Sequence, residues 1–339
     1  MRLPLFIIKY IYYEYWPWWL FYVPMLPLWF YLSLRNRSFA YFSVTNPGIY
    51  LGGFFGESKK DIMALIDNAY MAQSVYIENE IDFESVKSKI KNMPYPLIAK
   101  PDVGERGNDV EKIIDAVQLQ QYHSKINAPY IIQEFITYDI ELGILYSRMP
   151  NEEKGIVSSV TFKKFMSVMG DGVNTVLQLM QKNTQSRFQI KRMLSEQSTL
   201  MQSIPAKGET ILLEPIGNHC RGTAFVNFNH IINDDLHRVF DNICKPIQGF
   251  YYGRFDLKVK SIEDLYKGEN IKIMELNGAS SEPGHIYDKH YTLLKAYKDL
   301  SQHWIRLSNI SRYNMRNGYK PVSFSTIVKT YFKFIVFKK

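Results

Sequence analysis

The sequence Gly253-Arg-Phe-Asp-Leu-Lys-Val259, followed by Ile271-Lys-Ile-Met-Glu-Leu-Asn277, decides the fold of this 339-residue chain. In both segments apolar side chains alternate with polar ones, and this period of two is typical of β-strands. The short polar connection through Lys267-Gly268 predicts that the two strands form a hairpin. We therefore expect two neighbouring antiparallel strands late in the chain.

One face of this hairpin carries polar groups. Because successive side chains of a strand point to opposite faces, Arg254 and Asp256 share one face, as do Glu275 and Asn277. The apolar face is expected to carry Phe255, Met274 and Leu276. Two carboxylates, an amide and an arginine on adjacent strands form the oxygen-rich, charge-compensated set that Mg²⁺ and a polyphosphate need. The alternative is a solvated face whose charges pair in salt bridges.

A glycine loop occurs upstream, in the sequence Pro96-Leu-Ile-Ala-Lys-Pro-Asp-Val-Gly-Glu-Arg-Gly107. It places Lys100 at the end of a short strand, and Gly104 and Gly107 in a loop that runs into a helix. Such a loop lets backbone N–H groups close over phosphates. It is not a Walker A motif, because no Lys-Ser/Thr pair follows Gly107, and by itself it does not define a nucleotide site.

A second apolar run, Ile131-Ile-Gln-Glu-Phe-Ile136, predicts a strand that leads into a connector where adenine would lie against the backbone, with Glu141 on the ribose hydroxyls. Between residues 40 and 320 short apolar runs alternate with segments of helical period, which favours an α+β or α/β body. The pattern predicts helices at 61–71, 110–122, 173–182, 234–243 and 291–307, and strands at 95–99, 130–135, 156–165, 211–215, 252–260 and 271–276.

The order of these pieces along the chain resembles the ATP-grasp superfamily. The middle of the chain looks most like the ligase modules of cyanophycin synthetase and of the fused glutathione-synthesising enzymes, and the late hairpin resembles that of D-alanine–D-alanine ligases. The motifs that carry the middle resemblance are Met169-Gly-Asp-Gly-Val-Asn-Thr175, Ile204-Pro-Ala-Lys-Gly-Glu209 and Asn218-His-Cys-Arg-Gly-Thr223. The resemblance covers residues 90 to 290 and implies an α+β ATP-grasp fold, in which two α+β lobes clasp ATP.

The resemblance implies which residues contact ATP. Lys100 would meet the α-phosphate side, and the loop from Gly104 to Gly107 would close over the β and γ phosphates. Lys163 or Lys164 would reach a phosphate oxygen, and the sequence does not rank the two. The alternative for these two lysines is a plain surface charge.

For the nucleoside, the resemblance implies that Glu134 and the backbone of Phe135 and Ile136 meet adenine and that Glu141 holds the ribose. For the metal, it implies that two Mg²⁺-binding carboxylates and one amide come from the late strands. These metal ligands are Asp256, Glu275 and Asn277, with Glu275 as the expected bridge.

The implied activity is that of an ATP-dependent carboxylate–amine ligase, whose substrates are a small-molecule carboxylate and an amine. Arg221 and Arg254 would stabilise the transferring phosphoryl group and the acyl-phosphate, although Arg221 is also explained as a surface charge. The alternatives are a non-ligating ATP-binding scaffold and an ATP-grasp phosphotransferase. Nucleic-acid binding ranks last, because no basic stripe with interleaved aromatic residues occurs outside the two ends.

The segment after the metal strand would contact the acceptor substrate. Ser280, Ser281, Glu282 and His285 are candidates to hold an ammonium or hydroxyl group. A capped turn and a buried histidine are the alternatives. The region of residues 39–90 is short for a substrate-binding domain of this family, so the sequence leaves both substrates open.

The N-terminal end is strongly aromatic. Tyr10 to Tyr31 holds four of the five tryptophans, and the twenty positions from Tyr15 to Leu34 contain no charged residue. Twenty apolar residues match a bilayer in length, but three prolines and the tryptophans favour the membrane boundary instead. We expect contact of residues 10–34 with the inner face of the membrane. The alternative is a covered face of the protein or a homo-oligomer interface.

Composition sets the remaining expectations. A net charge of +8 favours anionic partners, and two cysteines outside any metal-binding spacing argue against a disulfide framework and favour the reducing cytoplasm. The expected divisions are an aromatic segment at 1–38, a short substrate-side region at 39–90, an ATP-grasp domain at 91–310 and a basic amphipathic tail at 311–339.

Overall fold

The structure is a computed structural model that describes residues 3–104 and 107–336. Over these ranges the chain folds as α+β, as predicted from the sequence. The strands are β1 Ser74–Ile77, β2 Leu97–Pro101, β3 Glu111–Ile113, β4 Tyr130–Glu134, β5 Ile140–Ser147, β6 Ile156–Lys164, β7 Ser167–Met169, β8 Thr210–Leu212, β9 Ala224–Asn227, β10 Tyr252–Val259 and β11 Ile271–Asn277. The α-helices are α1 Leu5–Ile11, α2 Trp18–Tyr22, α3 Leu26–Arg35, α4 Lys59–Met63, α5 Phe83–Lys89, α6 Ala116–Lys125, α7 Val176–Lys182, α8 Thr184–Arg187, α9 Ile190–Glu196, α10 Ser198–Gln202, α11 Asp234–Cys244, α12 Ile262–Lys267, α13 Leu293–Arg316 and α14 Phe324–Val336.

The large sheet contains five antiparallel strands in the order β11-β10-β5-β6-β9. Its apolar face packs against α11 and α12, where Phe240, Phe255 and Leu257 are fully buried. Burying one such side chain contributes about 1.5–3 kcal/mol, so this face fixes the sheet firmly on its helices. Alternation then sends Arg254 and Asp256 to the opposite face, as the sequence predicts.

The small sheet contains four antiparallel strands in the order β1-β4-β2-β3. Val86 of α5 and Leu119 of α6 are fully buried against it, together with Leu97 and Ile132 of the strands. Because β1 lies in the region 39–90 and pairs with β4, this sheet uses residues on both sides of the expected boundary at residue 90. The domain divisions themselves stay a prediction.

The outer edge of β11 is covered by the segment 70–72. Met71 forms a parallel bridge with Ile273, whose N–H donates to the Tyr70 carbonyl at 2.7 Å. The Ala72 N–H in turn donates to the Ile273 carbonyl at 3.1 Å. Since the same segment continues into β1, these bonds join the large sheet to the small one.

Two peripheral units complete the fold. The pair β7–β8 packs with α7 to α10 around a separate core that includes Met180 and Met193. At the other side, the N-terminal helices α2 and α3 pack against α13, with Phe21 and Leu32 buried. Within residues 3–104 and 107–336, no helix is both long enough and apolar enough to cross a bilayer.

Several predicted element bounds are wrong because N-cap residues begin helices at positions that the hydrophobic periodicity does not mark. The helix expected at 110–122 is the strand β3 followed by α6, whose N-cap Asp115 accepts a hydrogen bond from the Gln118 N–H at 2.8 Å. The helix expected at 61–71 is the short α4, capped by Ser58. The connection between β10 and β11 is not a tight hairpin but contains α12, capped by Ser261.

A β-bulge corrects the expected alternation of the late strands. Asp256 lies opposite Glu275, but Leu257 lies opposite Ile273, so Met274 is the extra residue in β11. Both Met274 and Leu276 line the cleft described below, but of the two only Leu276 belongs to the apolar core of the large sheet. A bulge redirects the side chains beside it, which the sequence alone does not reveal.

Candidate active site

A cleft of about 730 Å³ lies between the large and the small sheet. Most of the residues that the sequence singled out line it, although they are spread over more than 180 positions of the chain. They are Lys100, Gly104, Gly107, Glu134, Phe135, Ile136, Glu141, Lys163, Arg254, Asp256, Glu275, Asn277, Ser280 and Glu282. The fold thus brings fourteen separate predictions to one cavity, which is the candidate active site.

A row of four alternating charges forms the floor of the cleft, and we call it the charged row. Lys163 Nζ lies 3.1 Å from Glu141 Oε1 and 3.2 Å from Asp256 Oδ2. Arg254 Nε donates to Asp256 Oδ1 at 3.0 Å. Gly143, opposite Asp256 in β5, leaves room for the row, because a Cβ there would come within 3.3 Å of Asp256 Oδ1.

Asp256 and Lys163 of the charged row stay ionised although they are buried. Burial opposes the charge of Asp256, but Arg254 and Lys163 outweigh it and hold the pKa of this carboxyl below its ordinary value. Burial likewise opposes the charge of Lys163, and the carboxylates of Asp256 and Glu141 raise its pKa. The cleft floor therefore presents fixed charges that need no reorganisation when an anion enters.

Glu275 and Asn277 sit beside this row on β11. Glu275 is directly opposite Asp256, and its Oε1 lies 3.9 Å from Lys59 Nζ. Asn277 Nδ2 is buried and has no hydrogen-bond partner among the described residues. In residues 3–104 and 107–336, no three His, Cys, Asp or Glu side chains cluster closely enough to hold a metal ion by themselves. A metal here would depend on two carboxylates, one amide and oxygens from a ligand.

This donor set fits Mg²⁺. Carboxylate and amide oxygens are hard ligands, and Mg²⁺ is commonly held by one or two carboxylates together with substrate phosphates and water. Glu275 retains a third of its side-chain surface for such contacts, and the Nδ2 of Asn277 has no hydrogen-bond partner in the described part of the chain. Asp256 is already shared by Arg254 and Lys163, so Glu275 is the freer carboxylate.

Lys100 reaches the cleft from the small sheet. Its Nζ donates to Gln133 Oε1 and to the Met274 carbonyl, each at 3.0 Å. Burial lowers the pKa of Lys100 to about 8, because few charges compensate for its desolvation. A buried amine with two neutral acceptors is a strong attractor for an anionic ligand.

The described ends of the glycine loop touch the opposite wall. Gly107 has a φ of 70°, which favours glycine, and its carbonyl accepts a hydrogen bond from Arg221 Nη1 at 3.3 Å. Arg221 also pairs with Glu214 at 2.8 Å and does not itself line the cleft. Gly104 accepts from Lys59 Nζ at 2.6 Å. Arg221 is thus placed to hold the loop across the cleft.

The connector after β4 lies at the far end of the cleft. Glu134 exchanges backbone and side-chain hydrogen bonds with Gln73 at 2.8 Å each, and the Ile136 carbonyl accepts from Lys258 Nζ at 3.0 Å. Glu141 is held by Lys163 and packs so tightly on Gly217 that a Cβ there would lie 2.1 Å from Glu141 Oε1. The predicted nucleoside residues therefore line the cavity but have protein partners already.

Glu282 lines the cleft next to Tyr287. The Tyr287 hydroxyl donates to Glu282 Oε2 at 2.7 Å, and burial raises the pKa of Glu282 to about 7. Burial also raises the pKa of Tyr287 well above its ordinary value, so this hydroxyl remains a donor. Ser280 lines the same part of the cavity.

Besides Arg221, three predicted residues do not line the cleft. Lys164 is exposed, because it follows Lys163 on a strand and points to the other face. His285 is buried between Ser159 Oγ, 2.7 Å away, and Asp299 Oδ2, 3.0 Å away. Ser281 bonds to the Asn277 and Gly278 carbonyls and accepts from the Arg254 N–H. Their positions favour the structural alternatives: a surface charge, a buried histidine and a capped turn.

Sequence reasoning missed several residues that line the cleft. Lys59 carries no motif, and only tertiary packing brings it to the site. Lys258 lies two positions after Asp256 on β10, so strand alternation was the signal that could have identified it. The aromatic residues Tyr13, Trp18 and Phe21 were assigned to a membrane contact, yet they line the same cavity. Their composition signalled an unusual surface but not its partner.

Comparison with known proteins gives structural similarities only. No protein-family model matches the chain, and no curated protein sequence matches it significantly. Similar solved structures include a bifunctional glutathione synthetase from Pasteurella multocida, at 15% identity and a TM-score of 0.37 over 74% of this chain and 38% of that one. A D-alanine–D-alanine ligase from Bacillus anthracis is 12% identical, with a TM-score of 0.42 over 77% of this chain and 69% of that one. The VanG D-Ala:D-Ser ligase from Enterococcus faecalis is 16% identical, with a TM-score of 0.43 over 75% of this chain and 61% of that one.

Proposed function

We propose that this chain is an ATP-dependent ligase of the ATP-grasp type, which activates a carboxylate as an acyl-phosphate and joins it to an amine. One observation carries the proposal. Asp256 and Glu275 face each other across β10 and β11, with Asn277 beside them, in a cleft that also holds the buried cations Lys100 and Lys163. Fixed cations next to carboxylate and amide oxygens suit a polyphosphate with its metal ion.

In this proposal the small sheet and the large sheet bind opposite sides of ATP. Lys100 neutralises phosphate oxygens from the small sheet, and the loop between Gly104 and Gly107 covers them. The connector of Glu134, Phe135 and Ile136 receives the adenine. Glu275, Asn277 and Asp256 would hold Mg²⁺, which neutralises charge on the phosphate oxygens when it is bound.

The chemistry then requires little acid–base work from the protein. A carboxylate oxygen attacks the γ-phosphorus, the bond to the β-phosphate oxygen breaks, and ADP leaves. Arg254, fixed by Asp256, faces the charge that develops during transfer. An amine then attacks the acyl carbon, and phosphate leaves. Positioning and exclusion of water supply most of the effect.

The test is a measurement of ADP and phosphate release from Mg-ATP with panels of carboxylates and amines. We expect release only when a carboxylate and an amine are supplied together. Release with a single substrate would favour the phosphotransferase alternative. ATP binding without turnover under any pair would favour the non-ligating scaffold.

A further inference from the structure

The aromatic segment of the N-terminus forms part of the cleft wall. Side chains from Tyr13 to Tyr22 line the same cavity as the charged row, although more than 200 residues separate them from Arg254 and Asp256. The lining residues from this segment are Tyr13, Glu14, Trp16, Trp18, Phe21 and Tyr22. The cleft thus has a charged floor and an aromatic wall.

This wall is fixed to the body of the protein. Phe21 is only 3% exposed and stacks on Tyr297, with ring centroids 5.3 Å apart. The Tyr297 hydroxyl donates to the Phe21 carbonyl at 3.1 Å, and the Tyr13 hydroxyl donates to the Tyr291 carbonyl at 3.1 Å. Tyr22 stacks parallel to Trp304. Anchored rings offer a ligand a preformed surface.

The aromatic wall meets acidic groups at the acceptor end. Phe21 lies 5.9 Å from the Tyr287 ring, and the Tyr287 hydroxyl holds the carboxyl of Glu282. Glu14 lines the cavity as well. Aromatic faces and carboxylates both attract an ammonium group, and the rings also accept an apolar body. Neither an aromatic face nor a carboxylate side chain attracts a carboxylate group on the acceptor substrate.

We propose that residues Tyr13–Tyr22 form one wall of an acceptor site that takes a primary amine with an apolar or aromatic body, whose ammonium group is held by Glu282. The inference rests on the proposed ligase function and names the class of its amine substrate. Glu282 accepts one proton from the ammonium, and the free amine attacks the acyl-phosphate carbon. The C–O bond to phosphate breaks, the C–N bond forms, and the second amine proton leaves with phosphate.

Two neighbouring tryptophans separate this proposal from a lipid contact. Trp18 is 68% exposed and Trp19 is 51% exposed, so alanine at either position leaves the buried core intact. Trp18 lines the cavity and Trp19 does not. A membrane contact would involve both tryptophan side chains. A substrate in the cavity would contact Trp18 but not Trp19.

The experiment titrates the full chain, with a non-hydrolysable ATP analogue and Mg²⁺, against 2-phenylethylamine by calorimetry. We expect Trp18→Ala to weaken binding about 3- to 30-fold, and Trp19→Ala to leave it unchanged. Methylamine lacks the apolar body and 2-phenylethanol lacks the charge, so each should bind at least about tenfold more weakly than 2-phenylethylamine. Glu282→Gln should remove the preference for the amine over the alcohol.

Equal effects of the two tryptophan variants, or no preference for 2-phenylethylamine, would overturn the proposal. Sedimentation with anionic phosphatidylglycerol vesicles gives the membrane alternative its own readout, and equal loss of vesicle binding in both variants would assign the segment to lipid. Binding of the ATP analogue is measured separately. If the analogue binds and the amine results fail, only this inference falls, whereas failure of the analogue to bind would overturn the ligase function.

Discussion

The charged floor and the aromatic wall of the cleft differ in how their residues reach it. The floor comes from neighbouring strands, where Asp256 and Glu275 meet through a regular ladder with one bulge. The wall comes from the N-terminus, where Phe21 reaches Tyr297 through packing alone. Short-range periodicity therefore encodes the floor, while the wall depends on contacts between the two ends of the chain.

The largest expected effect comes from weakening the packing of the aromatic wall against the body of the protein. Phe21→Ala removes a ring that is 3% exposed, and we expect the free energy of unfolding to fall by about 3–5 kcal/mol. Urea denaturation followed by tryptophan fluorescence measures this change. The matched control, Trp19→Ala, should stay within about 0.5 kcal/mol of the parent. A similar small loss for both variants would mean that the segment is not anchored as described.

Removing the carboxylate of Glu275 tests the proposed metal ligands beside the charged row. Glu275→Gln keeps the size of the side chain but removes its charge, and we expect the rate of ADP release to fall about 100-fold or more. Thermal unfolding should change little, because the ion pair between Glu275 and Lys59 is 3.9 Å long and therefore weak. Glu263→Gln, on the exposed side of α12, is the control. Unchanged ADP release would discard the metal assignment.

Lys100 tests whether the small sheet contributes to the same ligand. Lys100→Met removes the buried ammonium, and we expect the KM for ATP to rise about 10- to 100-fold, since a charged hydrogen bond is lost. Lys91→Met, at an exposed position of the same lobe, should leave the KM unchanged. Steady-state kinetics at saturating carboxylate and amine gives both values. A normal KM in Lys100→Met would place ATP elsewhere.

The smallest expected effect is a pH dependence of the KM for the amine, which the carboxyl of Glu282 would cause. Because burial raises the pKa of Glu282 to about 7, its carboxylate forms as the pH rises through that value, and the KM for the amine should fall several-fold. Glu282→Gln should remove this dependence. The raised pKa also means that the folded protein binds this proton more tightly than the unfolded chain does. Its contribution to stability is present below the ordinary value of 4.5 and is lost as the pH rises toward about 7. A pH-independent KM in the parent protein would contradict the assigned role.

Much of the floor could be predicted because strand alternation fixes which residues share a face. Arg254, Asp256 and Glu275 follow from that rule, and Lys163 over Lys164 follows once the strand is placed. The bulge at Met274 could not be predicted, because it depends on how β11 fits β10 in three dimensions.

The bounds of the helices and the aromatic wall show where local patterns stop being informative. Asp115 begins a helix as an N-cap inside the segment predicted as one helix, and Ser261 begins a helix in the connection predicted to be a short hairpin turn. The aromatic composition of Tyr13 to Tyr22 fits a membrane boundary and a cavity wall equally well. Only the position of the docking helix α13 distinguishes them, and membrane contact stays a prediction for the vesicle experiment.

The backbone bonds between segment 70–72 and Ile273 have a consequence for self-association. An edge strand with free N–H and C=O groups is a template on which another polypeptide can add a strand. Here segment 70–72 already forms hydrogen bonds with the N–H and the carbonyl of Ile273, which lies two positions before Glu275. A neighbouring molecule would have to displace that turn before it could extend the sheet, so the strand that presents Glu275 is guarded against edge-to-edge aggregation.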